Sequence, residues 1–430
     1  MKRVQEKARN KHPVMWGIIT IVVAVALIYL YFGGFGTGQS ADVAEFSKYA
    51  SAVDSFEVPG GTRIVALGEA THGNKEFQEL KLDVFKRLVE KYRVKAFVLE
   101  ADAGCCMKAN QFVQGGEGTA DEAAAMLGFR LYRTYEMAEL LSWMREYNMS
   151  ADDDKLTLYG FDMQRIDEEY SCLMDILAEA GYDTDILASI WDAENEKIKE
   201  TAGTEEIKDV LEAVEKEPAI AGSADALHMI DVIRQNMELG KVYTENANAS
   251  NAVRDKMMAE NTLWVLAQEE KRGNNIIFIS GHNGHVEQFG AYNDGDKVMG
   301  NIIADEIGDD AYFVIGTDFY KTRDNVPTSG EKRTTFTAFS HDPLAKAAKK
   351  SGNDICMIDF SRVSEDSSLR SYTHDYIYTG SIGEVTMTFL NRFVMKVFPM
   401  CYRVLACPAD AYDAMIFVAY AHPTEIRMDE

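Results

Sequence analysis

The chain has 430 residues, of which 47% are hydrophobic, and its formal net charge is −25. This length is enough for a large hydrophobic core and for more than one domain. The acidic balance would repel phosphate groups, which argues against nucleic acid as a partner.

The N-terminal segment has the features of a membrane anchor. Five basic residues and one acidic residue lie within residues 1–13, and residues 14–32 carry no charge. A helix needs about 20 apolar residues to cross the hydrocarbon core of a bilayer. Trp16 lies near the start of this run and Tyr29 and Tyr31 near its end, as aromatic residues do at membrane interfaces. We therefore predict one transmembrane helix at residues 14–32.

The basic residues precede the apolar run and none follows it closely, which predicts the orientation of the anchor. Residues 1–13 are expected in the cytoplasm. Residues 33–41, rich in glycine, are expected to form a flexible tether, and residues 42–430 an extracytoplasmic domain held at the cell membrane. A cleaved signal peptide is the alternative, although its apolar core would be about 7–15 residues long.

Short apolar runs alternate with longer amphipathic stretches after the tether. Continuous apolar runs of this kind are typical of strands that are buried on both faces of a parallel sheet. One amphipathic stretch, residues 77–91, has its apolar residues at helical spacing. We predict an α/β domain of three layers with a mostly parallel sheet, whose strands lie at residues 64–67, 96–99, 156–159, 276–279, 312–315, 356–358 and 415–418.

The strand pattern is interrupted between residues 163 and 272. This interval predicts helices at residues 168–180, 185–201, 205–216, 224–238 and 252–271, with Thr204 and Ser223 as helix caps. We predict a helical insertion or subdomain here that covers the carboxyl edge of the sheet. Residues 320–333 are polar and predict a loop.

Ionisable or amide side chains follow six of the seven predicted strands. The carboxyl ends of parallel strands lie at one edge of a sheet, where ligands bind in open α/β folds. We therefore expect these side chains to gather at that edge: Glu69 and His72, Glu100, Asp162 and Gln164, His282 and His285, Asp318, and Asp359.

His72 is the best candidate for a general base. A neutral imidazole near pH 7 can take a proton from water and return it to a leaving alkoxide. Glu69 precedes it by three residues and could orient the ring, as the carboxylate of a hydrolytic triad does. Taken singly, Glu69 and His72 could equally cap the following helix, and His282 and His285 could be ordinary loop histidines. An active site is favoured if the loop at residues 67–73, which carries Glu69 and His72, and the loop at residues 280–286, which carries His282 and His285, converge in the fold.

Glu100 ends its strand and needs a cationic partner if it is buried. Lys81 and Arg254 are the candidates for this partner. Taken alone, Arg254 is more simply interpreted as an arginine on the solvated side of a helix. The chain contains no G-x-S-x-G, H-E-x-x-H or phosphate-binding loop motif. A serine nucleophile of the α/β-hydrolase type is therefore not expected.

Several motifs, in order, resemble the erythromycin esterase family over most of residues 60–420. They are LGEATHG at 67–73 followed by Glu76 and Phe77, Glu100 at a strand end, GFDMQ at 160–164, Arg254-Asp255, MAEN at 258–261, HNGHV at 282–286, Met299-Gly300 and YDAM at 412–415.

The resemblance implies an α/β core with a helical portion around a deep acidic cleft, and lactone opening of macrolides by water attack. The family's essential base would correspond to His72, accompanied by Glu69, Glu100, His282 and His285. The family usually has an arginine nine residues after the first histidine, where this chain has Lys81. An arginine can bind two oxygens at once, whereas a lysine supplies one point charge. Because this difference falls within the family motif, the sequence predicts the reaction class but does not predict a macrolide substrate.

Two functions remain open from the sequence. In the first, an anchored hydrolase of a small-molecule ester or lactone needs no cofactor: His72 activates water, Glu69 orients it, and His285 with Lys81 or Arg254 stabilises the oxyanion. The remaining polar residues at the sheet edge, His282, Asp162 and Gln164, would then bind substrate. In the second, a non-hydrolytic surface protein of the same fold binds a divalent metal ion through Glu69, His72, His282 and His285, with Glu100 as a further ligand.

Overall fold

The structure is a computed structural model. It describes residues 11–31, 39–151, 154–192, 194, 197–199, 204–247, 249–292, 296–329 and 332–427.

Eight strands of the described chain form one large, mostly parallel sheet. In chain order they are β1 (Ile64–Glu69), β2 (Ala96–Asp102), β3 (Thr157–Asp162), β4 (Ile277–His282), β5 (Tyr312–Pro327), β6 (Arg333–Phe339), β7 (Ile355–Asp359) and β8 (Ala414–Ala421). The spatial order is β3-β2-β4-β1-β5-β8-β7, and β6 pairs with the distal part of β5. The neighbours from β3 to β8 are parallel, whereas β7 and β6 run antiparallel to their partners. The predicted mixed α/β fold is confirmed.

The sheet separates two hydrophobic cores. Along β1, Val65 and Leu67 pack into one core, and Ile64 and Ala66 pack into the other. All six residues of β1 are buried, because side chains alternate between faces and helices cover both. The continuous apolar run follows from this double coverage.

The helices lie on both faces of the sheet. Those between β1 and β4 include Lys75–Tyr92, Ala103–Val113, Ala120–Met126, Tyr135–Ser150, Asp167–Glu179, Asp185–Ala188, Thr204–Glu215, Pro218–Ala221, Ala224–Glu245 and Ser250–Lys271. After β4 come Asn283–Val286, Met299–Ile307, Pro343–Ser351, Arg370–Thr373, Phe389–Val397 and Pro408–Ala411, and Val43–Tyr49 precedes β1.

The interval between β3 and β4 is mainly helical, with one departure from prediction. The helix expected at residues 185–201 ends at Ala188, and a small hairpin of Trp191–Asp192 and Lys197–Ile198 follows. The ring of Trp191 stacks on Tyr170 with centroids 4.1 Å apart, and this tertiary contact favours the hairpin over a continuous helix. Ser223 caps the helix Ala224–Glu245, accepting the Ala226 N–H. Thr204 is the first residue of its helix.

Two further expectations about the sheet are wrong. Residues 320–333 are largely strand, since β5 continues to Pro327 and pairs with β6 in a hairpin. Thr322, Asp324 and Asn325 are buried in this strand although they are polar, and Arg323 is exposed. Asp359 also does not reach the carboxyl edge, because β7 runs antiparallel to β8 and pairs Asp359 with Ala414 at the start of β8.

A helix, Lys11–Tyr31, covers most of the predicted anchor. Among the described residues, no helix is both long and apolar enough to cross a membrane. Residues 1–10, most of the predicted basic segment, and 32–38, the end of the predicted anchor and most of the tether, lie outside the described residues. All six cysteines are free thiols, and only Cys401 is exposed.

Candidate active site

The segments at residues 67–73 and 280–286 meet because β1 and β4 are hydrogen-bonded neighbours. The register pairs Gly68 with Gly281 and Glu69 with His282. Both strands extend two residues or more beyond their predicted ends, so Glu69 and His282 are strand residues and not loop residues. Only glycine fits at position 68, because Asn283 packs so closely against it that a β-carbon there would lie 2.2 Å from Asn283 Oδ1.

His72 lies in the turn between β1 and the helix Lys75–Tyr92 and is oriented by Glu69. Its Nδ1 lies 2.8 Å from Glu69 Oε1. The other carboxylate oxygen of Glu69 binds the ammonium group of Lys81, which is itself buried. With Nδ1 bound to Glu69, Nε2 is the ring nitrogen left for the cavity. The predicted orienting role of Glu69 thus has a direct geometric basis.

The charges around His72 favour its protonated form. Burial lowers the pKa of His72, but the hydrogen bond to Glu69 and the charges of Glu69, Glu100 and Glu384 outweigh burial and raise it to about 9. Burial likewise opposes the charge on Glu69, while Lys81 and His72 favour it and bring its pKa to about 2. The ring is therefore mostly charged near pH 7 in the free site, contrary to our expectation of a neutral imidazole.

Arg254 holds the second half of the site together. Its guanidinium donates to Asp162 through Nε (3.1 Å) and Nη2 (2.7 Å), and to Glu100 Oε1 through Nη2 (3.0 Å). Burial opposes the charge on Glu100, but His285, Arg254 and His72 hold the pKa of this carboxyl well below its usual range. Arg254 is therefore the partner of Glu100. As predicted, the helix Ser250–Lys271 brings Arg254 to the histidines.

His285 lies between two acidic groups and a guanidinium. Its Nδ1 is 2.7 Å from Asp255 Oδ1, and its Nε2 is 3.0 Å from Arg254 Nη1 and 3.4 Å from Glu100 Oε1. Burial lowers the pKa of His285, and the charges of Asp255 and Glu100 outweigh burial and raise it. A neutral ring with its proton on Nδ1 can accept from Arg254 at Nε2, whereas the charged ring donates at Nε2, which suits Glu100.

His282 is the neutral member of the three histidines. Burial lowers its pKa to about 3, helped by the positive charges of His72 and His285. Its Nδ1 accepts the Gly284 N–H at 3.1 Å, so its proton lies on Nε2, 3.4 Å from Ser381 Oγ. Its ring centroid lies 4.9 Å from that of His72. His282 therefore offers the cavity a donor and not a base.

These groups surround one cavity of about 310 Å³. Among the predicted site residues, seven line it: His72, Glu100, Asp162, Gln164, Arg254, His282 and His285. Gln164 is exposed and donates to Asp162 Oδ2 at 2.6 Å. Glu69 and Lys81 do not line the cavity. They lie behind His72, which corrects the assignment of Lys81 as a substrate-binding or oxyanion residue.

A family model described as erythromycin esterase matches residues 89–420. The chain belongs to the erythromycin esterase family. The matched range contains Glu100, Arg254, His282 and His285 and begins after the His72 turn. Membership supports a hydrolase.

Relatives of the family show how far the likeness extends. The chain is 26% identical over 302 residues to Erythromycin esterase type II of Escherichia coli, covering 61% of this chain and 70% of that protein. A crystal structure of a Bacillus cereus protein superposes with a TM-score of 0.71 at 20% identity, covering 90% of this chain and 100% of that chain. A crystal structure of a mutant of the erythromycin esterase EreC in its open conformation superposes with a TM-score of 0.57 at 17% identity, covering 86% of this chain and 94% of that chain.

A crystal structure of a succinoglycan biosynthesis protein also shares the fold, with a TM-score of 0.71 at 18% identity over 90% of this chain and 98% of that chain. At these identities the three crystal structures establish a common fold and nothing further.

The metal ion of our second hypothesis would have to bind through the Nε2 atoms of these histidines. His72 Nδ1 and His285 Nδ1 face carboxylates, and His282 Nδ1 accepts a backbone N–H, which leaves Nε2 as the possible ligand atom of each ring; a carboxylate on the other ring nitrogen is common around metal-binding histidines. The guanidinium of Arg254 occupies the space beside His285 Nε2, where it would repel a cation. Within the described part of the chain, no group of three or more His, Cys, Asp or Glu residues could hold a metal ion.

Sequence reasoning missed several residues of the site. Asp255 orients His285, and its position next to Arg254 in the family motif was the available signal. Tyr132 lines the cavity and donates to the Glu100 backbone carbonyl at 2.8 Å. Glu384 lines the opposite wall and pairs with Arg333 at 2.9 Å. Tyr132 and Glu384 come from segments without a local motif.

Proposed function

We propose that this protein hydrolyses an ester or lactone by attack of water, with His72 as the general base. The observation that carries the proposal is the His72 ring, bound at Nδ1 to Glu69 and lining a cavity next to His282, His285 and Arg254. Membership of the esterase family supports the reaction class. The role of His72 rests on this geometry, because the matched range begins after it.

The reaction needs only proton transfer and charge stabilisation. Neutral His72 takes a proton from water at Nε2 while the water oxygen forms a bond to the carbonyl carbon. The tetrahedral intermediate then breaks its bond to the alcohol oxygen, and charged His72 returns the proton to that oxygen. Glu69 keeps Nδ1 protonated throughout, so Nε2 is the nitrogen that exchanges the proton.

The oxyanion would be stabilised by His282 and Arg254. His282 has its proton on Nε2 and stays neutral, so it can donate without competing for the proton that His72 moves. Arg254 adds a fixed positive charge, since its guanidinium is held by Glu100 and Asp162. Fixed donors of this kind need no reorganisation when charge develops. His285 orients Arg254.

We propose an ester of modest size as substrate. The cavity of about 310 Å³ lies at the lower end of the roughly 300–1,000 Å³ typical of ligand pockets. The E. coli relative carries the name erythromycin esterase, but 26% identity does not extend its substrate to this chain. The proposed mechanism involves no metal, so a chelator should leave the rate unchanged.

The test is hydrolysis of an ester and lactone library by the full chain in detergent. We expect His72→Ala to lower kcat/KM by roughly a hundredfold or more on any substrate of the parent, as loss of a positioned base does. His422→Ala is the matched control, since His422 is exposed and pairs with Glu76 away from the cavity. Full activity of the His72 variant would overturn the assignment.

For location, we propose the single-pass anchor at residues 14–32 with the main domain outside the cytoplasm. The charge-free run and the basic residues before it support this arrangement. Esters outside the cell membrane would then be the accessible substrates.

A further inference from the structure

The helix Phe389–Val397 presents its apolar side to solvent. Phe389 is 89% exposed, Leu390 65% and Phe393 58%. Phe389 and Phe393 are neighbours at i and i+4, and Leu390 lies about 100° around the axis, within the width of apolar stripe that helices of globular proteins normally bury. Here the helix is attached mainly through Met395, the one buried residue among those of this helix. Three large apolar side chains are thus left open by the described part of the chain.

The charge of this segment is opposite to that of the protein. The 25 residues 385–409 contain no Asp or Glu and three basic residues, whereas the chain as a whole carries −25. Two of the three, Arg392 and Lys396, are exposed on the helix itself. An amphipathic helix with an apolar face and flanking basic residues is the form that lies in the interface of an anionic bilayer.

The helix also follows closely, in the sequence, on residues of the cavity wall. Gly383 and Glu384 line the catalytic cavity, and the helix begins five residues after Glu384. Val385, between them, is 42% exposed. A link of five residues spans at most about 18 Å, so the apolar face lies near the cavity wall.

We propose that Phe389–Val397, with Val385, docks the catalytic domain on an anionic lipid surface with the cavity mouth towards the lipid. A nine-residue helix is only about 14 Å long. A stable protein interface buries about 800 Å² on each partner, more than one face of such a helix offers. Insertion of Phe389, Leu390 and Phe393 among acyl chains needs no larger surface, and the basic residues complement anionic headgroups. The docking does not depend on the proposed reaction.

The test places a tryptophan on the helix of the full chain in vesicles. Phe393→Trp adds a fluorophore at the centre of the apolar face, and Tyr243→Trp adds one at an exposed site on the helix Ala224–Glu245. Subtracting the parent removes the contribution of Trp16 and the other native tryptophans. With brominated acyl chains and phosphatidylglycerol, we expect the added Trp at 393 to be quenched by roughly half or more, as for a side chain below the headgroups.

Three results decide the proposal. Quenching at position 393 but not at 243, reduced in vesicles of phosphatidylcholine alone, supports it. Equal quenching at both positions, or none at 393, overturns it. If 393 is not quenched and Phe393→Asp converts a dimer to a monomer in light scattering, the face is a protein interface and the lipid proposal is wrong. Far-ultraviolet circular dichroism of each variant confirms that it is folded.

Discussion

Replacing Glu69 by glutamine should separate the charge of this side chain from its shape. In the parent, Glu69 binds His72 Nδ1 on one oxygen and Lys81 on the other. Glutamine keeps an oxygen for the His72 N–H but removes the negative charge. We therefore expect the variant to retain an oriented ring whose pKa is lower.

The size of the effect follows from the raised pKa of His72. It rises from an ordinary 6.5 to about 9, a difference of about 2.5 units or roughly 3 kcal/mol at ~1.4 kcal/mol per unit. Glu69 contributes the largest part of the rise, and burial opposes it. Near pH 7 only about 1% of the rings are neutral when the pKa is 9. Without the Glu69 charge, we expect the pKa of His72 to fall by about two units.

The assay is kcat/KM from pH 5 to 10 on a substrate found in the library. In the parent, activity should rise with pH and level off above about 9, since the base must be neutral. In Glu69→Gln the rise should move about two units lower, with a smaller plateau because the ring is less firmly held.

Stability supplies a second readout. The charged His72 stabilises the fold fully below pH 6.5, and this contribution disappears as pH rises through 9. The Glu69→Gln variant should therefore lose less free energy of unfolding than the parent as the pH rises from 6.5 to 9.

One control separates this effect from damage to the fold. Glu69→Gln leaves Lys81 buried without a carboxylate, and breaking a buried pair costs about 3–5 kcal/mol. The double variant Glu69→Gln with Lys81→Met removes both charges and should recover much of that stability. A parent profile that is flat across pH 9, or an unchanged midpoint in Glu69→Gln, would refute the electrostatic reasoning.

Three further outcomes are expected. His72→Ala and His285→Ala together should lower kcat/KM by less than the product of their separate losses, because residues acting as a unit are non-additive; strict multiplication would argue for independent roles. Arg254→Met removes the guanidinium that pairs with the buried carboxylates of Glu100 and Asp162 and should lower the free energy of unfolding by about 3–5 kcal/mol, so an unchanged melting temperature contradicts it. Protease added to intact cells should digest the main domain, and complete protection by an intact membrane would show that the orientation is wrong.

The placement of the site was predictable because it depends on strand ends. Parallel strands bring their carboxyl ends to one edge whatever their separation in the chain, so His72 and His285 could be assigned to one cleft from their positions after apolar runs. Arg254 could be assigned from the helical insertion and its motif. These inferences needed no knowledge of strand order.

Pairwise partners depend on packing that the local sequence does not encode. Lys81 follows His72 by nine residues, yet the turn of its helix directs it behind Glu69 and not into the cavity. Glu384 reaches the wall through a segment without secondary-structure signal. The prediction of a neutral His72 was wrong partly for the same reason, since Glu100 and Glu384, two of the three carboxylates that raise its pKa, come from distant segments.

The position of β4 has a consequence for synthesis of the chain. β4 lies between β1 and β2 in the sheet, although both are translated about two hundred residues earlier. Until residue 282 has emerged, β1 and β2 lack the strand that joins them, and each keeps an open edge. Open edges of apolar strands are prone to pair with other chains. A product that stops within the helical insertion would therefore carry His72 and Glu100 but neither an assembled site nor a protected sheet.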